Sequence, residues 1–235
     1  MTMFKKLIPL AALLTLAGAA HAVPLLDGSV YGALDNQSSA TVNGVTFSAA
    51  GGDGTFGSKG ADGWNGIGVR GGDSGNEIDV GESITMSFDA QVISDFTLSL
   101  LFNGPEFSDF QEIAQISAYN GSDLIGSFTL TVGLDGTTPS ATWTGLSGVV
   151  FNQSLPTEDG GGAWLVSGNP FGNGAVTSLV FSSLASSLCQ ANYCGNQSDY
   201  VVTTVNAVPE PGTYALMAAG LGVIGFLSRR RRQRG

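Results

Sequence analysis

The sequence predicts an all-β fold, an antiparallel β-sandwich with a jelly-roll-like order of strands, placed between two apolar terminal segments. Apolar residues alternate with serine or threonine in several short stretches, and glycine, asparagine and aspartate separate these stretches. No stretch outside the two ends has helical periodicity. The predicted boundaries divide the chain into residues 1–22, a folded domain over 23–208 and a C-terminal segment over 209–235.

The N-terminal segment has the layout of a secretory signal peptide. Lys5 and Lys6 provide the basic start, residues 7–20 are almost wholly apolar, and Ala20 and Ala22 are small residues at the positions that signal peptidase reads. This layout predicts a signal helix that is cleaved between Ala22 and Val23. The alternative is an N-terminal anchor that is not cleaved.

Alternation of apolar and polar residues predicts the strands of the domain. Residues 83–89 place Ile84, Met86 and Phe88 on one face, and residues 96–102 and 127–132 follow the same pattern. Turn-forming residues bound each stretch, as in a half-buried antiparallel sheet. Further strands are predicted at 40–49, 113–119, 149–152, 163–167, 176–182 and 200–206.

The charge of the predicted domain is strongly negative. Residues 23–208 contain eighteen of the nineteen acidic residues but only two basic residues, Lys59 and Arg70, which gives a net charge of −16. Such a surface repels nucleic acid and anionic lipid and attracts cations. A nucleic-acid partner is therefore excluded.

The histidine content limits the possible chemistry. The only histidine, His21, lies in the predicted signal peptide. The exported domain therefore has no Ser-His-Asp triad, no Cys-His pair and no histidine-based zinc or iron site. Carboxylate chemistry and metal binding through oxygen remain possible, and we predict no catalytic residues.

The two cysteines, Cys189 and Cys194, lie close together in the predicted exported domain. In an oxidising compartment such a pair is expected to form one disulfide, which would close a short loop before the last strand. Metal binding by the pair is the alternative, but no other soft ligand is nearby in the sequence.

Residues 51–83 are rich in glycine and acidic residues. Carboxylates on glycine-permitted turns are suitable ligands for calcium, the one cofactor that the sequence suggests. The spacing differs from that of an EF-hand, and solvated carboxylates in ordinary turns are the alternative. The predicted calcium ligands are Asp73, Glu77, Asp79 and Glu82.

Two tryptophans in glycine-rich stretches, Trp64 and Trp164, are candidate platforms for stacking on sugars. Trp143 is expected on a strand with its side chain toward the core. Burial is the alternative for Trp64 and Trp164, since tryptophan is highly buried on average.

The C-terminal segment combines a proline-bounded motif, an apolar helix and a basic end. Residues 213–228 carry no charge, and a helix of this length spans about 24 Å of a hydrocarbon core of about 30 Å. We predict a transmembrane helix whose basic end stays cytoplasmic. The basic anchor, residues 229–235, contains Arg229, Arg230, Arg231, Arg232 and Arg234. Pro209, Glu210 and Pro211 form an extended stretch, either a stiff spacer or a motif for a processing enzyme.

These three parts in this order resemble the PEP-CTERM sorting signal of Gram-negative bacteria. The resemblance covers residues 208–235 and implies that an exosortase recognises Pro209, Glu210 and Pro211 and removes the tail. The tail is also known as an ice-binding protein C-terminal domain, a label that implies no ice binding here. Signal peptidase, exosortase and the inner membrane are the implied partners.

Three hypotheses for the function follow. The first is a non-enzymatic protein of the cell surface or extracellular matrix, structural or adhesive in association with exopolysaccharide. The second is a calcium-dependent carbohydrate-binding module, which the 51–83 segment and the two tryptophans suggest. The third is a glycoside hydrolase that uses carboxylates alone, for which no catalytic pair stands out.

Overall fold

The computed structural model describes residues 22–61, 63–104, 111–134, 138–154, 162–188, 198–208, 220–222 and 224–225. Within these residues the fold is mostly antiparallel β-sheet, with a short helical turn, α1 (Tyr31–Leu34), near the start. The strands are β1 (Val23–Leu26), β2 (Ser39–Val42), β3 (Val45–Ala50), β4 (Phe56–Ala61), β5 (Trp64–Val69), β6 (Ser83–Ser99), β7 (Ile113–Asn120), β8 (Asp123–Val132), β9 (Ala141–Trp143), β10 (Val149–Asn152), β11 (Ala163–Ser167), β12 (Val176–Ser183) and β13 (Val201–Val208).

The strands form two sheets that share β6. One sheet contains β4, β5, β13, the second half of β6, β11 and β10, and β1 is added beside β13. The other contains β2, β3, the first half of β6, β12, β7, β8 and β9. This architecture confirms the predicted all-β class, and the jelly-roll order of strands stays a prediction.

Strand β6 joins the two sheets because it bends between them. Its first half pairs with β3 and β12, and from Val92 onward it pairs with β13. The register of β6 shifts against both β12 and β13, and such irregularities let a strand cross from one sheet to the other. Its two halves therefore line both sides of one core.

The core lies between the sheets and is rich in aromatic residues. Phe96 of β6 packs against Phe181 of β12 with ring centroids 6.4 Å apart, and against Phe171 at 5.8 Å. The predicted alternation is confirmed, since Ile84, Met86 and Phe88 are all buried. The largest fully buried side chains include Trp164, Tyr200, Phe47, Phe56, Phe96, Phe171 and Phe181.

The structure differs from the predicted elements in several places. Residues 40–49 form a hairpin rather than one strand, because Asn43 and Gly44 turn the chain with positive φ angles of 51° and 80°. Residues 83–89 and 96–99 of two predicted strands belong to the single strand β6, and residues 100–102, also predicted as strand, follow its end. The glycine-rich segment contains the hairpin β4–β5, where glycines replace the usual apolar residues.

Candidate functional site

The last strand of the sandwich ends where the proline-bounded motif begins. β13 ends at Val208, which pairs with Val92 of β6, and Pro209 is the next residue in the chain. Proline has no backbone N–H, so neither Pro209 nor Pro211 can donate a hydrogen bond to a neighbouring strand. Pro209, Glu210, Pro211 and the arginines of the basic anchor lie outside the described residues.

The first strand lies beside the last one. β1 pairs with β13 in antiparallel register, with Val23 opposite Ala207. The chain therefore enters the sandwich next to the point where it leaves. Residues 1–21, which include most of the predicted signal peptide, lie outside the described residues.

Part of the C-terminal tail is described and is helical. Residues 220–222 and 224–225 fall within the predicted helix 213–228, and Leu221 and Ile224 are exposed. Among the residues that the structure describes, no helix is long and apolar enough to cross a membrane. The prediction of a transmembrane helix falls largely on residues outside the described ranges.

At the other end of β13, a group of carboxylates surrounds the start of β6. We call Asp53, Asp73, Asp79 and Glu82 the acidic cluster. Glu82 Oε2 accepts a hydrogen bond from the Asp79 N–H at 3.0 Å, and the Glu82 N–H donates to the Asp79 carbonyl oxygen at 3.0 Å. The Asp79 carboxylate also accepts the N–H of Ser74 at 3.1 Å and its hydroxyl. Asp79 and Glu82 are thus held in fixed positions.

Glu82 has one oxygen without a partner. Its side chain is 5% exposed, and Oε1 is fully buried with no hydrogen-bond donor in the structure. A buried carboxylate oxygen without a donor loses its hydrogen bonds to water and has no protein hydrogen bond to replace them, which costs free energy. Oε1 is therefore a position at which a proton or a cation is expected.

Glycines make room for this arrangement. A Cβ atom at Gly52 would collide with Glu82 Oε1 and with the carbonyl oxygen of Arg70, and one at Gly72 would collide with the Asp79 carboxylate. A Cβ at Gly71 would meet the carboxylate of Asp53. The carboxylates can approach the backbone this closely only because these residues have no side chain.

The electrostatic environment opposes a negative charge on Glu82. Burial, followed by the nearby carboxylates of Asp79, Asp53 and Asp73, raises the pKa of Glu82 to about 6, although the hydrogen bond from the Asp79 backbone acts in the other direction. The pKa of Glu82 is therefore raised both by the loss of hydration and by repulsion from the other carboxylates of the acidic cluster.

The two basic side chains of the domain have other partners. Lys59 forms an ion pair with Glu77, and its ammonium group also donates to the carbonyl oxygen of Ser74 at 2.9 Å. Arg70 forms an ion pair with Asp35 at 2.7 Å. Burial raises the pKa of Glu77, and Lys59 opposes this effect.

The predicted calcium ligands are brought together only in part. Asp79 and Glu82 are neighbours and Asp73 acts electrostatically on Glu82, but Glu77 is engaged by Lys59. Over the described ranges, no three Asp, Glu, His or Cys side chains form a ready-made metal site. Any cation here would need oxygen ligands other than side-chain carboxylates.

The sequence-based prediction did not include Asp53 or the Arg70 carbonyl oxygen. Both approach the cluster because the turn after β3 folds against the segment after β5, where the Asp53 N–H donates to the Arg70 carbonyl oxygen at 2.6 Å. One available signal was the repeated Gly-Gly-Asp at 51–53 and 71–73. The two copies meet at the cluster.

The structure corrects one of the predicted sugar platforms. Trp164 is 1% exposed and its indole N–H donates to the Leu101 carbonyl oxygen at 2.8 Å, so its ring faces are covered by the core. Trp64 begins β5 and is half-buried. Trp143 packs on the core as predicted, with its ring 5.2 Å from that of Phe96. Cys189 and Cys194 lie outside the described residues.

Comparison with known proteins identifies the C-terminal segment. Residues 207–232 match the family model of the PEP-CTERM protein-sorting motif. The match begins in the last residues of β13 and includes the proline-bounded motif, the apolar stretch and four arginines of the basic anchor. No curated protein and no solved structure matches the chain significantly.

Proposed function

Because the chain carries a PEP-CTERM protein-sorting motif, we propose that it is an exported, non-enzymatic protein that an exosortase sorts to the cell surface or extracellular matrix. There it serves as a structural or adhesive component in association with exopolysaccharide. The sorting motif is the observation that carries this proposal. The matrix role rests on the association of such tails with exported surface proteins.

The proposed route has three steps. Signal peptidase cuts between Ala22 and Val23, and the helix over 213–228 then holds the intermediate in the inner membrane. The basic anchor stays on the cytoplasmic side, as arginines next to an apolar helix do. Exosortase recognises Pro209, Glu210 and Pro211 and separates the sandwich from its tail, and Cys189 and Cys194 form a disulfide outside the cell.

The fold is compatible with this route. Val23 lies opposite Ala207, so both membrane-directed segments leave the sandwich at the same end. The sandwich can therefore stand on one membrane through either segment without rearrangement. Pro209 directly follows Val208, the last residue of β13, so the proposed processing site would begin where the described strand ends.

The charge of the domain supports a role outside the cell. A net charge of −16 over residues 23–208 keeps copies apart and soluble, and it favours contact through cations. The absence of histidine from this part of the sequence removes the common nucleophilic and metal-dependent mechanisms. A non-enzymatic role is therefore the simplest assignment.

A carbohydrate-binding module remains the second candidate, because Trp64 is partly exposed. Trp64 begins β5, whereas Arg70, beside the acidic cluster, directly follows its last residue. Six residues of strand span roughly 20 Å. A sugar on Trp64 would therefore not contact a cation in the acidic cluster, and a glycan array with and without calcium should show calcium-independent binding if this candidate is correct.

The sorting proposal is tested with Glu210→Ala in the native host, with Asp123→Ala as the matched control. Asp123 is an exposed carboxylate in the β7–β8 hairpin, so its loss removes the same charge far from the motif. An antibody against the sandwich follows each protein through membrane, surface and culture-supernatant fractions. Glu210→Ala should accumulate in the membrane fraction at full length, whereas the control should be distributed like the wild type.

A Glu210→Ala protein that leaves the membrane and loses its tail like the wild type would contradict recognition of the motif. Retention of the control as well would show a general export defect and would equally count against the proposed role of Glu210. The glycan array addresses the role of the domain separately from its sorting.

A further inference from the structure

We propose that the acidic cluster is a calcium site, in which Glu82 and Asp79 are the two coordinating carboxylates, the carbonyl oxygen of Arg70 is a third protein ligand, and the carboxylate of Asp53 contacts the ion through water. The site stands on the residues around the start of β6 and does not depend on the sorting function. It also differs from the set suggested by sequence alone, because Glu77 is excluded and Asp53 is added.

The first observation behind the proposal is the orphaned oxygen of Glu82. Oε2 is held by the Asp79 N–H at 3.0 Å, which fixes the carboxylate and leaves Oε1 directed into the cluster. The same position is next to Gly52, Gly72 and the Arg70 carbonyl oxygen. A buried, oriented and unpartnered oxygen among other oxygen atoms is the arrangement that a bound cation satisfies.

The second observation is the space that glycines leave around these oxygens. At Gly52 and Gly72 even a methyl group would collide with Glu82 or Asp79. Ordinary solvent-exposed turns do not require two carboxylates to lie this close to the backbone. Carboxylate oxygens of Glu82 and Asp79 and the carbonyl oxygen of Arg70 therefore lie close together beside Gly52 and Gly72. A cation that binds oxygen ligands needs such a group of oxygens.

The third observation is that Lys59 and Arg70, the two basic side chains in the described part of residues 23–208, form ion pairs with carboxylates other than those of Glu82, Asp79 and Asp53. Lys59 is paired with Glu77 and Arg70 with Asp35. Neither ion pair neutralises Glu82, whose buried Oε1 has no hydrogen-bond donor in the structure. The compensating positive charge must therefore come from solution.

Calcium fits these ligands better than other cations. All the available ligands are oxygens, which excludes metals that prefer sulfur or imidazole. Calcium accepts carbonyl oxygens and water beside carboxylates in an irregular shell of six to eight ligands, whereas magnesium requires a near-octahedral one. Fewer than three carboxylates at coordination distance, as found here, predict a dissociation constant of about 10⁻⁴–10⁻³ M, typical of extracellular modules.

The site would fasten three segments together at one end of the sandwich. Asp53 follows β3, the Arg70 carbonyl follows β5, and Asp79 and Glu82 precede β6. The Ile78 N–H donates to the Tyr200 carbonyl oxygen at 2.8 Å, which places this end beside the start of β13. The eight residues of β13 span roughly 26 Å, so the site lies at the opposite end from the sorting motif.

The experiment measures calcium binding and thermal stability of the full chain, purified in mild detergent and freed of metal. Isothermal titration with calcium chloride gives the stoichiometry, and magnesium chloride at equal ionic strength controls for screening. One calcium per chain should bind, and 10 mM calcium should raise the melting temperature by about 3–11 °C. Magnesium should produce less than a third of this shift.

Two variants test the ligands, each with a matched control. Glu82→Gln keeps the shape of the side chain and removes its charge, and Asp89→Asn removes one charge from an exposed position on β6. Gly72→Ala fills the space beside Asp79 without a change in charge, and Gly174→Ala adds a methyl group where nothing lies within 4 Å. Both test variants should lose the calcium-induced shift, and both controls should retain it.

Glu82→Gln separates a calcium site from a carboxyl group that is simply protonated. Without calcium, the variant should melt no lower than the wild type, because the amide removes repulsion within the cluster. Failure of the wild type to bind calcium at 10 mM would overturn the proposal, as would an unchanged calcium shift in Glu82→Gln. If Glu82→Gln does not fold, Gly72→Ala and the wild-type titration decide the question alone.

Discussion

Glu77 and Glu82 lie five positions apart and are both almost fully buried, yet the structure compensates them differently. Glu77 has Lys59 as a direct partner, which opposes the effect of burial on its pKa. Glu82 has one backbone N–H on one oxygen and nothing on the other. Sequence alone grouped both as calcium ligands, because the pattern of carboxylates and glycines does not show which one the only nearby lysine will reach.

A second comparison at this scale concerns the tryptophans. Trp164 and Trp64 lie in similar glycine-rich stretches, but Trp164 has a paired residue on both sides, in β6 and β10, whereas Trp64 is paired on one side only, with Ala61 of β4. The buried indole N–H of Trp164 donates a hydrogen bond to the Leu101 carbonyl oxygen. The buried indole N–H of Trp64 has no partner in the structure. Burial of each ring therefore depends on the position of its strand within the sheet, which local composition does not reveal.

Trp164→Ala should lower the free energy of unfolding by about 3–5 kcal/mol, because it removes a fully buried ring and leaves the Leu101 carbonyl oxygen unpaired. Trp64→Ala is the matched control and should cost roughly 1–2 kcal/mol, since this ring is half-buried and its N–H makes no hydrogen bond. Urea denaturation of both variants measures the difference. Equal losses would contradict the core position of Trp164.

At the scale of elements, period-two alternation identified the strands that have one face in the core. It succeeded for Ile84, Met86 and Phe88 because β6 is half-buried there and its other face carries polar residues. It missed β4, whose sequence Phe-Gly-Ser-Lys-Gly-Ala has a single large apolar residue. Pairing with β5 and the ion pair between Lys59 and the buried Glu77 support this strand instead, and neither is visible in a pattern of hydrophobicity.

The β2–β3 hairpin shows a turn signal that overrides strand alternation. Asn43 and Gly44 both adopt positive φ, as a two-residue hairpin with a right-handed twist requires. The apolar residues on either side nevertheless favour one continuous strand over 40–49. The dipeptide, rather than the alternation, determines where the chain reverses.

Gly44→Ala should therefore lower the free energy of unfolding by about 1–2 kcal/mol, because alanine at a φ of 80° is strained even though no atom lies within 4 Å of the added methyl group. Gly174→Ala, which is equally open and has no positive φ, should stay within about 0.5 kcal/mol of the wild type. Chemical denaturation of the two proteins tests this directly. A neutral Gly44→Ala would show that the turn tolerates a different conformation.

At the scale of the whole molecule, the fold separates two kinds of feature. Val23 and Ala207 are opposite each other at one end, where the predicted leader and the sorting motif join the sandwich. The acidic cluster is at the other end, beside Tyr200. In a molecule attached to a membrane through either terminus, the acidic cluster would therefore lie at the end of the sandwich that points away from the membrane.

This arrangement could be predicted only in part from the sequence. The terminal segments can be recognised from local composition, because their basic, apolar and proline-rich stretches each consist of residues that are adjacent in the chain. The meeting of the two ends and the folding of Asp53 onto Arg70 depend on long-range pairing, which local patterns do not encode. The sorting motif is therefore recognisable from the sequence, whereas the proposed calcium ligands could be identified only from the fold.

The most direct test of the central claim is the intact mass of the protein from its native host, measured separately in the membrane fraction and the culture supernatant. Sorting by an exosortase predicts a released species that begins at Val23 and ends near Pro209, together with a smaller membrane-bound pool that still carries the tail. A protein found only in the membrane, from Val23 to Gly235, would contradict the account and identify the tail as a permanent anchor.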